Sequence, residues 1–187
     1  MKAGQLENGM FILEKGEPYL VVEREFVNPG KGSAFVRCKL KNVLSGAVLK
    51  PTYKTPDNIE EATVTDHDCQ YLYNDGTAYH MMDNESYEQF EIPMSEGLEE
   101  KQLFMKDGET YTVVFWEEKA VDIKIPFKIV YEVTEAEEAI KGDTVQGATK
   151  WVTIETGLKV KVPIFIKQGE RIMINTDTRE YVERVNS

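Results

Sequence analysis

The strongest constraint on this chain is its punctuation. Short runs that alternate apolar and polar side chains are closed, one after another, by glycine, proline or asparagine turns. A period of two puts successive side chains on opposite faces of a strand, so the pattern calls for half-buried β-structure rather than helices. Met10-Phe11-Ile12-Leu13, the turn Lys15-Gly16-Glu17-Pro18, and Tyr19-Leu20-Val21-Val22-Glu23 read as a hairpin. A second turn, Asn28-Pro29-Gly30-Lys31-Gly32-Ser33, leads into the strand Ala34 to Leu40. There Val36, Cys38 and Leu40 share one face, and Phe35, Arg37 and Lys39 share the other. Thr55-Pro56-Asp57-Asn58 breaks the pattern and sets a boundary near Ala62.

Beyond it, Asn74-Asp75-Gly76 between two aromatic-rich runs is a strong hairpin signal. Glu85 to Leu103 is expected to hold a short helix. Thr110 to Trp116 and Ala120 to Ile125 form another hairpin, and Pro126 closes the unit because proline lacks the ladder N–H. The last unit opens at Phe127. Glu135 to Ile140 is expected to make one or two helical turns ended by Gly142, with strands at 151–155, 159–166, 171–176 and 181–184. No strict sequence repeat is visible. The expected fold is all-β: three small β-barrel domains at residues 1–62, 63–126 and 127–187. The first suits an SH3-like barrel and the other two suit five-stranded OB-type barrels.

The formal net charge is −11 at pH 7, which on its face opposes a phosphate-binding role. Divided by unit it is +1, −11 and −1, so the excess acid lies in the middle. Residues 24–54 carry seven basic side chains against Glu25 alone, net +6. That segment is either a solvated strand face or a surface for an RNA backbone, with Arg24, Arg37, Lys39 and Lys41 as candidate contacts. No apolar run approaches a membrane span, and the first residues contain no apolar signal region. Cys38 and Cys69 make no disulfide framework, so a cytoplasmic, reduced setting is expected.

The residues for catalysis are few. His67 and His80 are the two histidines. Asp66-His67-Asp68-Cys69 puts His67 and Cys69 on one strand face, too few ligands for a closed metal site. No phosphate-cradling glycine motif is present, and neither a metal nor a cofactor is expected. The chain reads as a non-enzyme. The aromatic runs Tyr71-Leu72-Tyr73 and Val114-Phe115-Trp116 suit core packing better than base stacking in so acidic a unit. What stands out is Lys31, a compact cation on a flexible stem between two glycines behind a proline. It is either an ordinary solvated turn lysine or a side chain displayed at a narrow tip.

At these residues the sequence resembles the bacterial elongation factor P family over essentially its full length. Pro29-Gly30-Lys31-Gly32 with Ala34-Phe35 resembles the family's modified-lysine tip. Tyr71 to Gly76 resembles its middle-domain hairpin. Lys141-Gly142-Asp143-Thr144 and the run Gly157 to Ile166 resemble its third-domain signature. The resemblance implies an SH3-like (KOW) domain and two OB domains in an L shaped like tRNA. It implies a monomeric factor bound to both ribosomal subunits between the P and E sites, relieving stalling at consecutive prolines. Lys31, framed by Asn28, Pro29, Gly30, Gly32 and Ser33, would reach along the peptidyl-tRNA acceptor end. It would also be the substrate of a lysine-modifying enzyme. Gly142, Asp143 and Thr144 would lie near the E-site mRNA codon.

Two features depart from the family pattern. Trp151 stands after Lys150 where proline is common. The last turn, Asn175-Thr176-Asp177-Thr178-Arg179-Glu180-Tyr181, orders its charges differently from the usual Asp-Thr-Arg-x-Gly-Glu-Tyr pattern. The alternatives are an elongation-factor-P-like paralogue, from which Lys31 and Gly142-Asp143-Thr144 argue away, and a generic OB-fold RNA-binding protein.

Overall fold

The structure is a computed structural model, and it describes residues 1–95, 97–138 and 147–186. Among the described residues sixteen strands form three sheets, one after another along the chain. The first sheet holds β1 (Phe11–Glu14), β2 (Glu17–Val27), β3 (Phe35–Asn42), β4 (Val48–Leu49), β5 (Thr52–Lys54) and β6 (Glu60–Glu61), in the order β4-β3-β2-β1-β6 with β5 also paired to β3. The second holds β7 (Val64–Asn74), β8 (Ala78–Asp83), β9 (Gln89–Pro93), β10 (Thr110–Trp116) and β11 (Lys119–Lys124). The third holds β12 (Lys128–Ala136), β13 (Thr149–Ile154), β14 (Lys159–Pro163), β15 (Arg171–Asn175) and β16 (Glu180–Val185). Among the described residues, no helix is long and apolar enough to cross a membrane.

The second and third sheets share one topology. In each, the first strand is central, flanked by the second and the fourth, with the third and fifth outermost. β9 approaches β11, and β14 approaches β16, which curls each sheet toward closure. A common strand order without a sequence repeat follows if pattern alone matters, since many side-chain sets satisfy the same inward and outward alternation.

The all-β expectation holds, with two local differences. Glu135 and Ala136 belong to β12 and pair with Thr153 and Val152, so they are extended rather than helical. Their side chains favour helix by tenths of a kcal/mol each, which sheet pairing overrides. Ile140 and Gly142 lie outside the described residues. Between Glu85 and Leu103 the chain first forms β9 and only then a 3-10 turn at Glu99–Leu103.

Each sheet encloses its own apolar core, with Ile12, Val21 and Leu40 in the first, Tyr79, Met81 and Ile123 in the second, and Tyr131, Ile154 and Ile172 in the third. A fourth cluster joins the first sheet to the second: Val43 packs with Val114 and Val121, and Phe11, Leu20, Val64 and Trp116 surround them. The second and third sheets meet through Phe104, whose side chain lies in the third core. Its carbonyl accepts a 2.6 Å hydrogen bond from the Tyr131 hydroxyl, and the Thr156 hydroxyl donates to the Leu103 carbonyl at 2.6 Å.

The atypical last turn is built around Asn175 and Arg179. The Asn175 side-chain oxygen accepts from the Asp177 and Thr178 amides at 2.9 and 3.1 Å. Arg179 takes φ +60°, the left-handed region usually left to glycine. Its guanidinium pairs with Glu100 and lies 5.9 Å from the Phe104 ring, a further tie between the two barrels.

Candidate functional site at the lysine-bearing tip

The β2–β3 hairpin ends in a loop whose composition explains its shape. Val27 and Phe35 form the last cross-strand pair. Beyond them Asn28, Gly30, Lys31, Gly32 and Ser33 are exposed and Pro29 is half-buried. Proline fixes its own φ, and Gly32 adopts φ +112°, where a side chain would be strained. Gly30 is not in that region, and a Cβ there would meet open space. Lys31 therefore stands at the end of the ladder with solvent around it, and it makes no ion pair among the described residues.

The base of the hairpin is stitched to the rest of the sheet. The Thr55 amide and hydroxyl both donate to the Ala34 carbonyl, at 3.2 and 3.3 Å. The Gly4 amide donates to the Thr55 carbonyl at 3.2 Å, and the Arg24 Nη2 donates to the Gly4 carbonyl at 3.1 Å. Arg24 also lies 5.6 Å from the Phe26 ring. Its guanidinium thus braces the hairpin from beneath.

The other basic candidates divide by face. Arg37 pairs with Glu25 at 3.6 Å and lies 5.3 Å from the Phe35 ring, while Lys39 pairs with Glu23 at 3.3 Å. Both are cross-strand pairs on the outer face. Such exposed pairs contribute about 0–1 kcal/mol, so either cation can exchange its carboxylate for a phosphate at little cost. Lys41 leaves this surface and reaches the second barrel, where its Nζ occupies the space a Cβ at Gly97 would need. Gly97, at φ +87°, is the residue type that admits it.

The remaining sequence candidates form no site. The Asp83 carboxylate receives the His67 ring at 2.7 Å and the backbone amides of Glu85 and Ser86 at 2.8 and 3.0 Å. The Ser86 amide first, then His67 and the Glu85 amide, pull Asp83 down to about 2. No group of three metal-ligating side chains is brought together among the described residues. His80 lies over Tyr73 with ring centroids 4.3 Å apart and bonds to Asp75 at 2.8 Å. Asp75 also caps its own turn by accepting from the Thr77 and Ala78 amides. Cys38 and Cys69 are free and buried, and burial pushes the Cys69 thiol up to about 12. Gly142, Asp143 and Thr144 lie outside the described residues.

The Asp83 arrangement has a pH signature. A carboxylate held below its unfolded value of about 3.9 stabilises the fold above that pH and ceases to do so as pH falls through the folded value. Asp83→Asn keeps an acceptor for the amides but removes the charge. The urea midpoint of the variant is expected to lie below that of the parent near neutral pH, and the gap is expected to close between pH 4 and pH 2. A pH-independent gap would show that the charge contributes nothing.

Sequence reasoning did not anticipate the bracing by Arg24 or the contact of Lys41 with Gly97. The one signal available for the first-to-second sheet contact was the unbroken apolar run from Val113 to Trp116. An amphipathic strand should alternate. Here Val113 fills the second core while Val114 fills the shared cluster.

Comparison with known proteins accounts for the whole chain. The family model for the elongation factor P (EF-P) KOW-like domain matches residues 2–59. The model for the elongation factor P (EF-P) OB domain matches 64–123, and that for the elongation factor P C-terminal region matches 129–184. Elongation factor P of Treponema denticola is 51% identical over 187 residues, covering 100% of both chains. That of Borrelia hermsii is 46% identical, covering 99% of this chain and 97% of the relative. Among solved structures, the eukaryotic translation initiation factor 5A from Methanococcus jannaschii shares the fold at a TM-score of 0.50 with 22% identity, covering 67% of this chain and 91% of that one. The sheets are therefore a KOW-like barrel followed by two OB-type barrels, and the chain belongs to the elongation factor P family of translation elongation factors.

Proposed function

We propose that this protein binds the ribosome between the P and E sites and holds peptidyl-tRNA in a reactive geometry, relieving stalling at consecutive prolines. The observation that supports this most directly is the exposed Lys31 at the end of a braced hairpin. In this reading the ribosome performs the chemistry and the factor supplies position. Proline is a rigid and poorly placed donor and acceptor. Fixing the tRNA acceptor end removes part of the entropic barrier, because effective molarity rises steeply once reacting atoms are held near contact.

Lys31 is the residue that reaches the tRNA and the target of a lysine-modifying enzyme. Arg37 and Lys39 lie along the RNA backbone, with Arg24 bracing the hairpin behind them and Lys41 set against the second barrel. Gly142, Asp143 and Thr144 approach the E-site mRNA, and the contacts extend to both subunits. The domains run 1–62, 63–126 and 127–187, set as an L that follows tRNA, and the protein works as a cytoplasmic monomer without catalytic groups or cofactors of its own.

The test is a reconstituted translation reaction on a reporter carrying Pro-Pro-Pro. Adding the native protein is expected to restore full-length product from the stalled message and to leave a proline-free control unchanged. Equal stalling with and without the protein would overturn the proposal.

A further inference from the structure

Trp151 is unexplained by anything above. It stands where the family resemblance leads one to expect proline, and its side chain is 47% exposed in the middle of β13. Val152 and Ile154, its neighbours on the opposite face, are buried in the third core. An indole left half in water on a regular strand offers one ring face to a partner.

Its surroundings are specific. Lys161 on β14 is its direct cross-strand partner, and Lys159 pairs with Thr153 one position along the same face. Both lysine side chains are exposed and make no ion pair or hydrogen bond among the described residues, although the chain carries an excess of eleven negative charges. Two residues of strand separate them, about 7 Å. A cleft of about 150 Å³ is lined by the indole together with Lys159, Glu135 and Glu137.

In this barrel β13 and β14 are the second and third strands, the face on which OB-type barrels receive oligonucleotides. A protein partner would call for an extended apolar patch. Here an aromatic plane has beside it two cations that are unpaired among the described residues, and single-stranded RNA presents a stackable base and a phosphate at every step. The Glu135 and Glu137 carboxylates repel phosphate but accept from a ribose 2′-hydroxyl.

We infer that the β13–β14 face binds single-stranded RNA, with a base stacked on Trp151, two phosphates at Lys159 and Lys161, and the cleft taking the adjoining ribose. This site is separate from the Lys31 tip and does not depend on the role given to that tip.

The experiment titrates the full-length protein with an eight-nucleotide single-stranded RNA at low salt and follows tryptophan emission. Trp116→Phe leaves Trp151 as the sole reporter, since the chain has two tryptophans. RNA is expected to quench it, with affinity falling as salt rises at a log–log slope of about −1.4 for two phosphates. Lys159→Ala with Lys161→Ala is expected to flatten that slope. Trp151→Ala, followed by anisotropy of labelled RNA, is expected to weaken binding about tenfold or more. Lys31→Ala is expected to leave the quenching unchanged, which separates this site from the tip. Emission unaffected by saturating RNA, or affinity unaffected by the double lysine variant, would overturn the assignment. So would a Trp151 that is shielded from acrylamide only by a ribosomal protein.

Discussion

Lys31→Ala is expected to reduce relief of a Pro-Pro-Pro stall by about two orders of magnitude, because losing a positioning contact by even 1 Å costs on the order of 100-fold in a proximity-driven step. The fold has nothing to lose at this residue. Lys31 is exposed and unpaired among the described residues, and the hairpin is held by the Thr55, Gly4 and Arg24 bonds well behind it. The variant should therefore unfold within about 0.5 kcal/mol of the parent. Lys31→Arg separates charge from chemistry. It keeps a cation but offers no amine to a lysine-modifying enzyme, so activity retained by arginine in an unmodified system would assign the effect to charge alone. A fully active Lys31→Ala protein would end the tip reading.

The second large effect is structural. Tyr79 is fully buried, and its hydroxyl donates to the Leu98 carbonyl at 2.5 Å while accepting from the Gln102 amide at 3.0 Å. Burial pushes this phenol up to about 12, so it stays neutral and able to donate throughout the physiological range. Tyr79→Phe removes both bonds; the Leu98 carbonyl still accepts from the Lys101 amide at 3.0 Å, but the Gln102 amide loses the hydroxyl it donates to, an expected loss of about 1–3 kcal/mol. Tyr79→Ala adds a cavity and should cost about 3–5 kcal/mol, or a thermal midpoint lower by on the order of 10 °C. The 3-10 turn it anchors leads directly to Leu103 and Phe104, which hold the third barrel. Loss of the Tyr79 bonds should accordingly raise amide exchange in that turn before the barrels themselves open. Unchanged exchange at Gln102 and Lys101 would show that the hydroxyl does not anchor the joint.

Much of this was legible along the chain, for physical reasons that differ by region. Turns with strict backbone requirements announce themselves. Asn74-Asp75-Gly76 and Lys15-Gly16 supply a glycine where φ is positive, and the structure places Gly16 and Gly76 there, with Lys15 joining its neighbour at φ +54°. The β10–β11 turn was legible from its flanking strands alone. Glu117 and Glu118 both sit at positive φ, where neither side chain is favoured. β9 was hidden because Gln89 to Pro93 is short and borders a charged stretch that suits helix as well as strand. The start of the same difficulty recurs at Glu135 and Ala136, whose extended form depends on Thr153 and Val152, partners remote in sequence.

At the tip, the exposure of Lys31 could be read from glycine and proline spacing. What could not be read was how the neighbouring cations are used. Arg24 and Lys41 belong to the same basic segment as Arg37 and Lys39, yet one braces the hairpin and the other lies against the second barrel. Charge tallies sum over such differences, and only the fold distributes them.

The shared Val43–Val114–Val121 cluster makes the first two barrels a lever and its fulcrum. From Leu20, inside that cluster, to Lys31 the hairpin extends about 30 Å at strand rise. Over that length, a tilt of about 2° at the fulcrum sweeps the lysine through about 1 Å, a displacement that matters in the positioning role proposed for it. The apolar contact far from the tip is therefore where aim is set. Mutations there should alter the accuracy of delivery even when Lys31 and its loop are untouched.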